Sequence, residues 1–191
     1  QLYVPAAGVI EGVHQAQIRP AHGELTDLTF DVPAGATITD VLDPATVPAD
    51  PKAAAPRSII SVWRFDPDTR QLRVSLNPPQ AKPFALLIKS QVPTGPLPFE
   101  RKVGLIAVTN AAGQIGLAGV ATGSEVQLDN VTAEPLSPIN LEDFPPAPLK
   151  ALQAQVIKNC VALTERLQTR GFRIPFGGTL SHLTNLDCNI N

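Results

Sequence analysis

The 191-residue chain has no methionine, one tryptophan, one tyrosine and two cysteines. It also lacks a clustered block of lysine and arginine, and its formal net charge is −2 at pH 7. Nucleic-acid binding normally requires clustered basic side chains that displace counterions, together with aromatic side chains on which bases stack. We therefore expect no nucleic-acid partner.

Long apolar runs are missing as well. No stretch of ~18 uncharged apolar residues occurs, so we predict no transmembrane segment. Hydrophobic residues nevertheless make up 43% of the chain and charged residues 17%, which is too apolar for a disordered protein. A chain of this length buries roughly 70% of its unfolded surface, so we expect it to fold without a metal ion or a disulfide. We also expect no cofactor.

The two cysteines, Cys160 and Cys188, would close a loop of about 28 residues if they were joined. In the chain-entropy model such a disulfide stabilises the fold by roughly 3–4 kcal/mol. The alternative is a pair of buried thiols that pack as small hydrophobic groups. The sequence leaves both possibilities open.

Several features of composition favour export, whether to the medium, the periplasm or the cell surface. Proline, alanine and threonine are abundant, lysine is scarce, and Asn130-Val131-Thr132 forms a glycosylation sequon. A chain that starts at Gln1 without methionine is expected to be either a mature product after cleavage or a part of a longer protein.

Alternating patterns predict a β-rich domain over residues 1–132. Leu28, Phe30 and Val32 alternate with polar residues, which is the period of a half-buried strand. Two apolar stretches, 59–65 and 72–76, flank a turn at 66–69 and predict a β-hairpin. In the first twenty residues, the spacing of Val9, Ile10, Val13 and Ala16 is that of one face of a short helix, whereas two glycines and Pro20 argue against a long one, so the sequence predicts no definite element there. Further strands are predicted over residues 84–89, 103–109, 114–121 and 125–131.

This pattern predicts a mainly β fold, an antiparallel β-sandwich or barrel-like sheet. A proline-rich strap over residues 133–148 follows it. Residues 149–191 then predict one long C-terminal amphipathic helix and a final short strand, which we expect to pack on the same domain. The apolar stripe of the helix consists of Leu149, Leu152, Val156, Cys160, Leu163 and Leu167.

The polar residues predict no catalytic centre and no metal site. His14 and His22 lie near three carboxylates, but without metal-ligand spacing, so we expect both to be solvated surface histidines. Ser181 and His182 are adjacent, and neighbouring side chains on a strand point to opposite faces, so they cannot act together as nucleophile and base. The carboxylates that calcium could use are expected to form turns instead. They are Asp40, Asp43, Asp50, Asp66 and Asp68.

The segment Leu163-Thr-Glu-Arg-Leu-Gln-Thr-Arg-Gly171-Phe172-Arg-Ile-Pro175 resembles the end of another fold. It is similar to the closing helix and Gly-Phe-x-hydrophobic-Pro segment of tubular lipid-binding proteins, the bactericidal permeability-increasing protein class. The resemblance covers about 43 of the 191 residues. It implies a helix packed inside a twisted sheet, with acyl chains held in the groove between them. The ligand-binding residues would then be Val156, Cys160, Leu163, Leu167 and Phe172.

Two functional hypotheses follow from these patterns. The first is a non-catalytic structural or protein-interaction module of an exported protein, which self-associates or binds a protein partner through a sheet edge or its proline-rich loops. The alternative is a carrier of a lipid or another apolar ligand. The central stretch, 30–76, is also similar to sandwich modules of large exported bacterial proteins, and this likeness implies architecture alone.

Overall fold

The computed structural model describes residues 1–46, 57–122, 126–140 and 143–144. Within these residues the chain is mainly β, as predicted, with nine strands and one short 3-10 turn at Pro44–Thr46. The strands are β1 Leu2–Ala6, β2 Val9–Ile18, β3 Leu25–Asp31, β4 Thr37–Leu42, β5 Ile60–Asp66, β6 Gln71–Gln80, β7 Phe84–Pro93, β8 Ala107–Val108 and β9 Gly119–Val120.

These strands form two sheets that fit the β-sandwich class. The first has five strands in the order β4-β7-β2-β1-β9, and the second has four in the order β5-β6-β3-β8. All pairings are antiparallel except that of β1 with β9, which is parallel. No helix among the described residues is long and apolar enough to cross a lipid bilayer.

One apolar core contains side chains from both sheets. Phe30, Leu72 and Val74 come from the four-stranded sheet, and Leu86 and Ile88 come from the five-stranded sheet. Each of these side chains is at most 1% exposed. Full burial of a large apolar side chain contributes about 1.5–3 kcal/mol, so this cluster is the main source of stability in the described part.

The strands predicted from alternation in the first half of the chain are confirmed. β5 and β6 form the predicted hairpin, with Phe65 opposite Leu72. β6 is longer than predicted, because it continues through Pro78 and Pro79 to Gln80. Residues 77–79 have no register partner in β3, so the missing proline N–H groups interrupt no bond to that strand.

The first twenty residues form a β-hairpin that the sequence did not predict. β1 and β2 pair with Ala6 opposite Val9, and Gly8 in the turn adopts a φ of 83° that favours glycine. The inner face of β2 carries residues 10, 12, 14, 16 and 18, which alternate as a half-buried strand should. The pattern was obscured because Gly12 and His14 are not typical core residues.

The strands predicted in the second half are wrong over most of their length. Within 103–121 only β8 and β9 form, with two residues each, and residues 126–131 belong to no strand. Gly113 and Gly116 interrupt the side-chain pattern that a strand needs for packing. The predicted helix, the final strand and both cysteines lie outside the described residues.

Candidate functional site

His14 is a buried residue of the inner face of β2, so the prediction that it is solvated is wrong. It is 3% exposed, and its Nε2 lies 2.7 Å from Oγ of Ser90 on β7. The ring of Tyr3 meets it edge-on, with centroids 5.4 Å apart. Burial lowers the pKa of His14 from 6.5 to about 3, so the imidazole is neutral at pH 7. His22, in contrast, is exposed as predicted.

Gly12 makes room for this pair of polar side chains. A Cβ atom at position 12 would lie 2.3 Å from Oγ of Ser90 and 2.5 Å from Nε2 of His14. Both distances are far shorter than van der Waals contact. Glycine is therefore required here by the close approach of the two side chains.

The His14–Ser90 pair does not have the geometry of a nucleophile and its base. Ser90 is itself only 3% exposed, so a substrate has no access to its hydroxyl. Nδ1 of His14 has no hydrogen-bond partner among the described residues, whereas a catalytic histidine is oriented by a third group at that atom. The bond instead links β2 to β7 within the sheet. The sequence held no signal for it, because the partners lie 76 residues apart.

The predicted turn or loop role is confirmed for Asp43 and Asp66. It is wrong for Asp40, which lies within β4, and Asp50 lies outside the described residues. Oδ1 of Asp66 accepts hydrogen bonds from the N–H groups of Asp68 (2.9 Å) and Thr69 (3.3 Å), which lower its pKa. The buried Asp43 carboxylate accepts from the N–H groups of Ala45 (2.9 Å) and Ile59 (3.1 Å). In the described ranges no three His, Cys, Asp or Glu side chains are grouped as a metal site would require.

A small pocket lies between the sheets beside His14. Its volume is about 100 Å³, and its walls include residues 14–18 of β2, Phe30, Ile88, Val108, Gln114 and Ile115. Ligand pockets in proteins usually measure about 300–1,000 Å³. This pocket is therefore too small for an acyl chain. The five residues predicted to line a lipid groove, 156, 160, 163, 167 and 172, lie outside the described residues, and that hypothesis stays a prediction.

The residues after β7 form what we call the extended segment, residues 94–122 and 126–140. It carries most of the exposed large apolar side chains of the described chain. Apart from Val62 on β5, all of them lie in this segment, and Ile115 is 97% exposed. The set consists of Leu97, Val103, Leu105, Ile115, Val120, Leu128, Val131, Leu136 and Ile139.

Gln1 and Tyr3 attach the extended segment to the first sheet. The Gln1 side chain donates from Nε2 to the carbonyl of Ile106 (2.8 Å) and accepts at Oε1 from the Ile106 N–H (3.0 Å). Its backbone nitrogen donates to the carbonyl of Leu117 (2.7 Å). The Tyr3 hydroxyl donates to the carbonyl of Gly104 (2.6 Å), and burial raises the pKa of Tyr3 to about 12. These contacts use the backbone of the segment. Of its side chains, Ile106 is buried in the core and Phe99 and Val108 pack against it, whereas the nine listed above are exposed.

Comparison of the chain with protein-family models, with curated proteins and with solved structures finds no match. Six of the nine exposed apolar side chains of the extended segment lie in stretches for which the sequence predicted strands. The other three, Leu97, Leu136 and Ile139, lie outside those stretches. The sequence therefore did not predict this surface.

Proposed function

We propose that the chain is a non-catalytic protein-interaction module of an exported protein, and that the extended segment carries its binding surface. The observation that supports this function is the concentration of exposed large apolar side chains on that one segment. Exposed apolar side chains are ordinary when they are scattered, whereas their concentration marks surfaces that a partner covers.

The way the segment is held also supports an interface. Long connections without regular structure are uncommon in compact domains, and those that occur are often functional. Here the backbone of residues 104–121 is fixed by Gln1, by Tyr3 and by the short pairings of β8 and β9. A partner that packs against the segment would bury apolar surface at about 25 cal/mol per Å² without first having to order these anchored points.

The outer face of the four-stranded sheet offers a matched comparison surface. Its cross-strand neighbours include Arg64 opposite Arg73 and Asp27 opposite Ser75, and Ser75 donates to the Asp27 carboxylate at 2.7 Å. Apart from Val62, which lies opposite Ser75 and is 60% exposed, this face has the polar character that water-facing sheets normally show. We therefore expect a partner on the extended segment and none on this face.

Site-specific photo-crosslinking tests the proposal. A photoreactive amino acid is placed at Val131 or Leu136, which are 56% and 46% exposed, and at Arg73 as the control. We expect discrete crosslinked species, with a second copy or another protein of the source organism, from positions 131 and 136 alone. Crosslinking that is equal at all three positions, or absent from all three, would contradict the proposal.

A paired substitution tests the same surface by affinity. Val131→Ser combined with Leu136→Ser removes two exposed apolar side chains and should weaken the association about tenfold or more, because such contacts contribute roughly 1 kcal/mol each. The melting temperature should be unchanged, since neither side chain is in the core. An unaltered affinity would exclude this surface.

A further inference from the structure

The extended segment contains a motif that the proposed function does not use, the sequon Asn130-Val131-Thr132. It is the only Asn-x-Ser/Thr sequence in the chain. An acceptor for an N-linked oligosaccharide requires a hydroxyl side chain at the third position and excludes proline at the second. Threonine and valine meet both conditions. Whether the folded chain can carry an oligosaccharide there depends on the surroundings of the asparagine side chain.

The fold leaves the sequon accessible. All three of its residues are exposed, and they belong to no helix or strand. Within the described part of the chain, the side chains of Asn130 and Thr132 form no hydrogen bond, ion pair or ring contact. A bulky polar group attached to Asn130 would therefore displace no packed side chain and break no existing bond. The folded domain accommodates an oligosaccharide at this position.

Exposed apolar side chains flank the acceptor asparagine. Leu128 lies two residues before Asn130 and is 41% exposed, and Val131 follows Asn130 directly and is 56% exposed. Apolar surface of this kind promotes association with other proteins. An oligosaccharide is bulky and strongly hydrated, so one that is attached at position 130 would restrict access to both neighbouring side chains.

We propose that Asn130 is the attachment site of an N-linked oligosaccharide, and that this oligosaccharide masks the apolar side chains beside it. The proposal rests on the proposed function, because the transfer takes place on the export route and the masked side chains belong to the proposed binding surface. It assigns a regulation to that surface. The unmodified chain presents residues 128–131 to a partner, whereas the modified chain does not.

The transfer is a substitution at the anomeric carbon of a lipid-linked oligosaccharide. The side-chain nitrogen of Asn130 attacks this carbon, and a C–N bond forms while the C–O bond to the polyprenyl diphosphate breaks. The diphosphate leaves with the electron pair of that bond, and the amide nitrogen loses one proton to a base of the transferase. No electrons are exchanged with an oxidant or a reductant, so the chain contributes the nucleophile alone.

Secretion of the full chain from yeast tests the attachment. The intact mass should exceed that of the polypeptide by an oligosaccharide, and peptide N-glycosidase should remove the excess. Asn130→Gln and Thr132→Ala should each abolish the modification, whereas Thr132→Ser should retain it, because serine supplies the same hydroxyl. Asn140→Gln, at an exposed position outside the sequon, is the control and should be modified like the parent chain. A parent chain that is secreted without an oligosaccharide would overturn the proposal.

Photo-crosslinking measures the masking. A photoreactive amino acid at position 131, the variable position of the sequon, is compared in the modified chain and in the unmodified Thr132→Ala variant. Crosslinking should be about five-fold weaker in the modified chain and should recover after treatment with peptide N-glycosidase. Equal crosslinking in the two forms would overturn the masking. If the unmodified variant forms no crosslinks, the proposed function and the masking both fail, while the mass still decides whether Asn130 is modified.

Discussion

The exposure of large apolar side chains differs between two parts of the molecule. One part is the strand-built body, residues 2–46 and 57–93, and the other is the extended segment. In the body Val62 is the one exposed large apolar side chain among the described residues, and the remaining ones contribute to the core or lie partly covered. In the extended segment Ile106 alone is fully buried, and nine large apolar side chains are exposed. One chain thus contains a half whose large apolar side chains are mostly covered and a half in which nine of them are exposed.

The comparison shows that the two halves depend on different interactions. The body is stabilised by side-chain burial between its two sheets. We expect the body to unfold as one cooperative unit. The extended segment is held by hydrogen bonds to Gln1 and Tyr3 and by two short strands. Three of its side chains, Phe99, Ile106 and Val108, also pack in or against the core. Because these contacts are few, the segment should open locally at a lower free energy. Substitutions in the body should change global stability, whereas substitutions at the attachment points should change local exchange alone.

Acidification should produce the largest effect, and it should act on the body. The unfolded chain binds a proton at His14 below about pH 6.5, whereas the folded chain does so only near pH 3. The stability that depends on the neutral imidazole is therefore complete at pH 7 and is lost as the pH falls across this window. The slope is about 1.4 kcal/mol per pH unit, or roughly 5 kcal/mol in total.

Urea unfolding at a series of pH values measures this slope, with His14→Gln as the comparison. The variant cannot titrate at position 14, so its stability should fall less steeply between pH 6.5 and pH 4. Asp27 and Asp66, whose pKa values are lowered by hydrogen bonds, contribute equally to both proteins. Parallel curves for the two proteins would show that His14 is protonated in the folded state.

Gly12→Ala should be the next most damaging change. The added methyl group would overlap Oγ of Ser90 and Nε2 of His14, so the hydrogen bond and the pairing of β2 with β7 must shift. We expect a loss of about 3 kcal/mol in the free energy of unfolding. Gly95→Ala is the control, because no atom lies within 4 Å of a Cβ there, and it should cost under about 0.5 kcal/mol. Equal effects of the two changes would refute the packing argument.

Asp43→Ala should have an intermediate effect on the body. It leaves the N–H groups of Ala45 and Ile59 without their buried acceptor, which costs about 2 kcal/mol. Thermal unfolding monitored by circular dichroism measures the loss. Asp31→Ala, at an exposed position on β3, should shift the melting temperature little. A small shift for both variants would mean that water replaces the Asp43 carboxylate.

Gln1→Ala should have the smallest effect on global stability, and it tests the extended segment. It removes both side-chain hydrogen bonds to Ile106, so amide exchange over residues 104–108 should accelerate about five-fold, which corresponds to ~1 kcal/mol of local stability. The urea midpoint should not change. Gln91→Ala, at an exposed position on β7, is the control and should change neither local exchange nor global stability. If Gln1→Ala lowers global stability as much as Asp43→Ala does, the two halves do not differ in the way described.

The same division explains which predictions from the sequence succeed. Leu28, Phe30, Leu72 and Val74 alternate with polar residues because one face of each strand meets the core, so β3 and the β5–β6 hairpin were predictable. In the extended segment, apolar residues at similar spacing point to solvent. Alternation cannot distinguish a side chain that faces a core from one that faces solvent.

The candidate site was less predictable than the fold because it depends on distant pairs. His14 is interior since Ser90, 76 residues away, accepts or donates its hydrogen bond, and Gly12 leaves space for both. β9 has only two residues and exists because Leu2 and Tyr3 present an edge to it. Neither feature has a local signal, so both require the assembled sheets.

The parallel pairing of β1 with β9 has a consequence for biosynthesis. Gly119 is translated more than a hundred residues after its register partner Leu2. Throughout that interval the second edge of β1 can pair with any neighbouring nascent chain. Contacts between such distant residues also slow folding, because a long loop must close before they form. The five-stranded sheet can therefore be completed only after the extended segment has been translated. A product that ends before Gly119 should be β-rich and should aggregate.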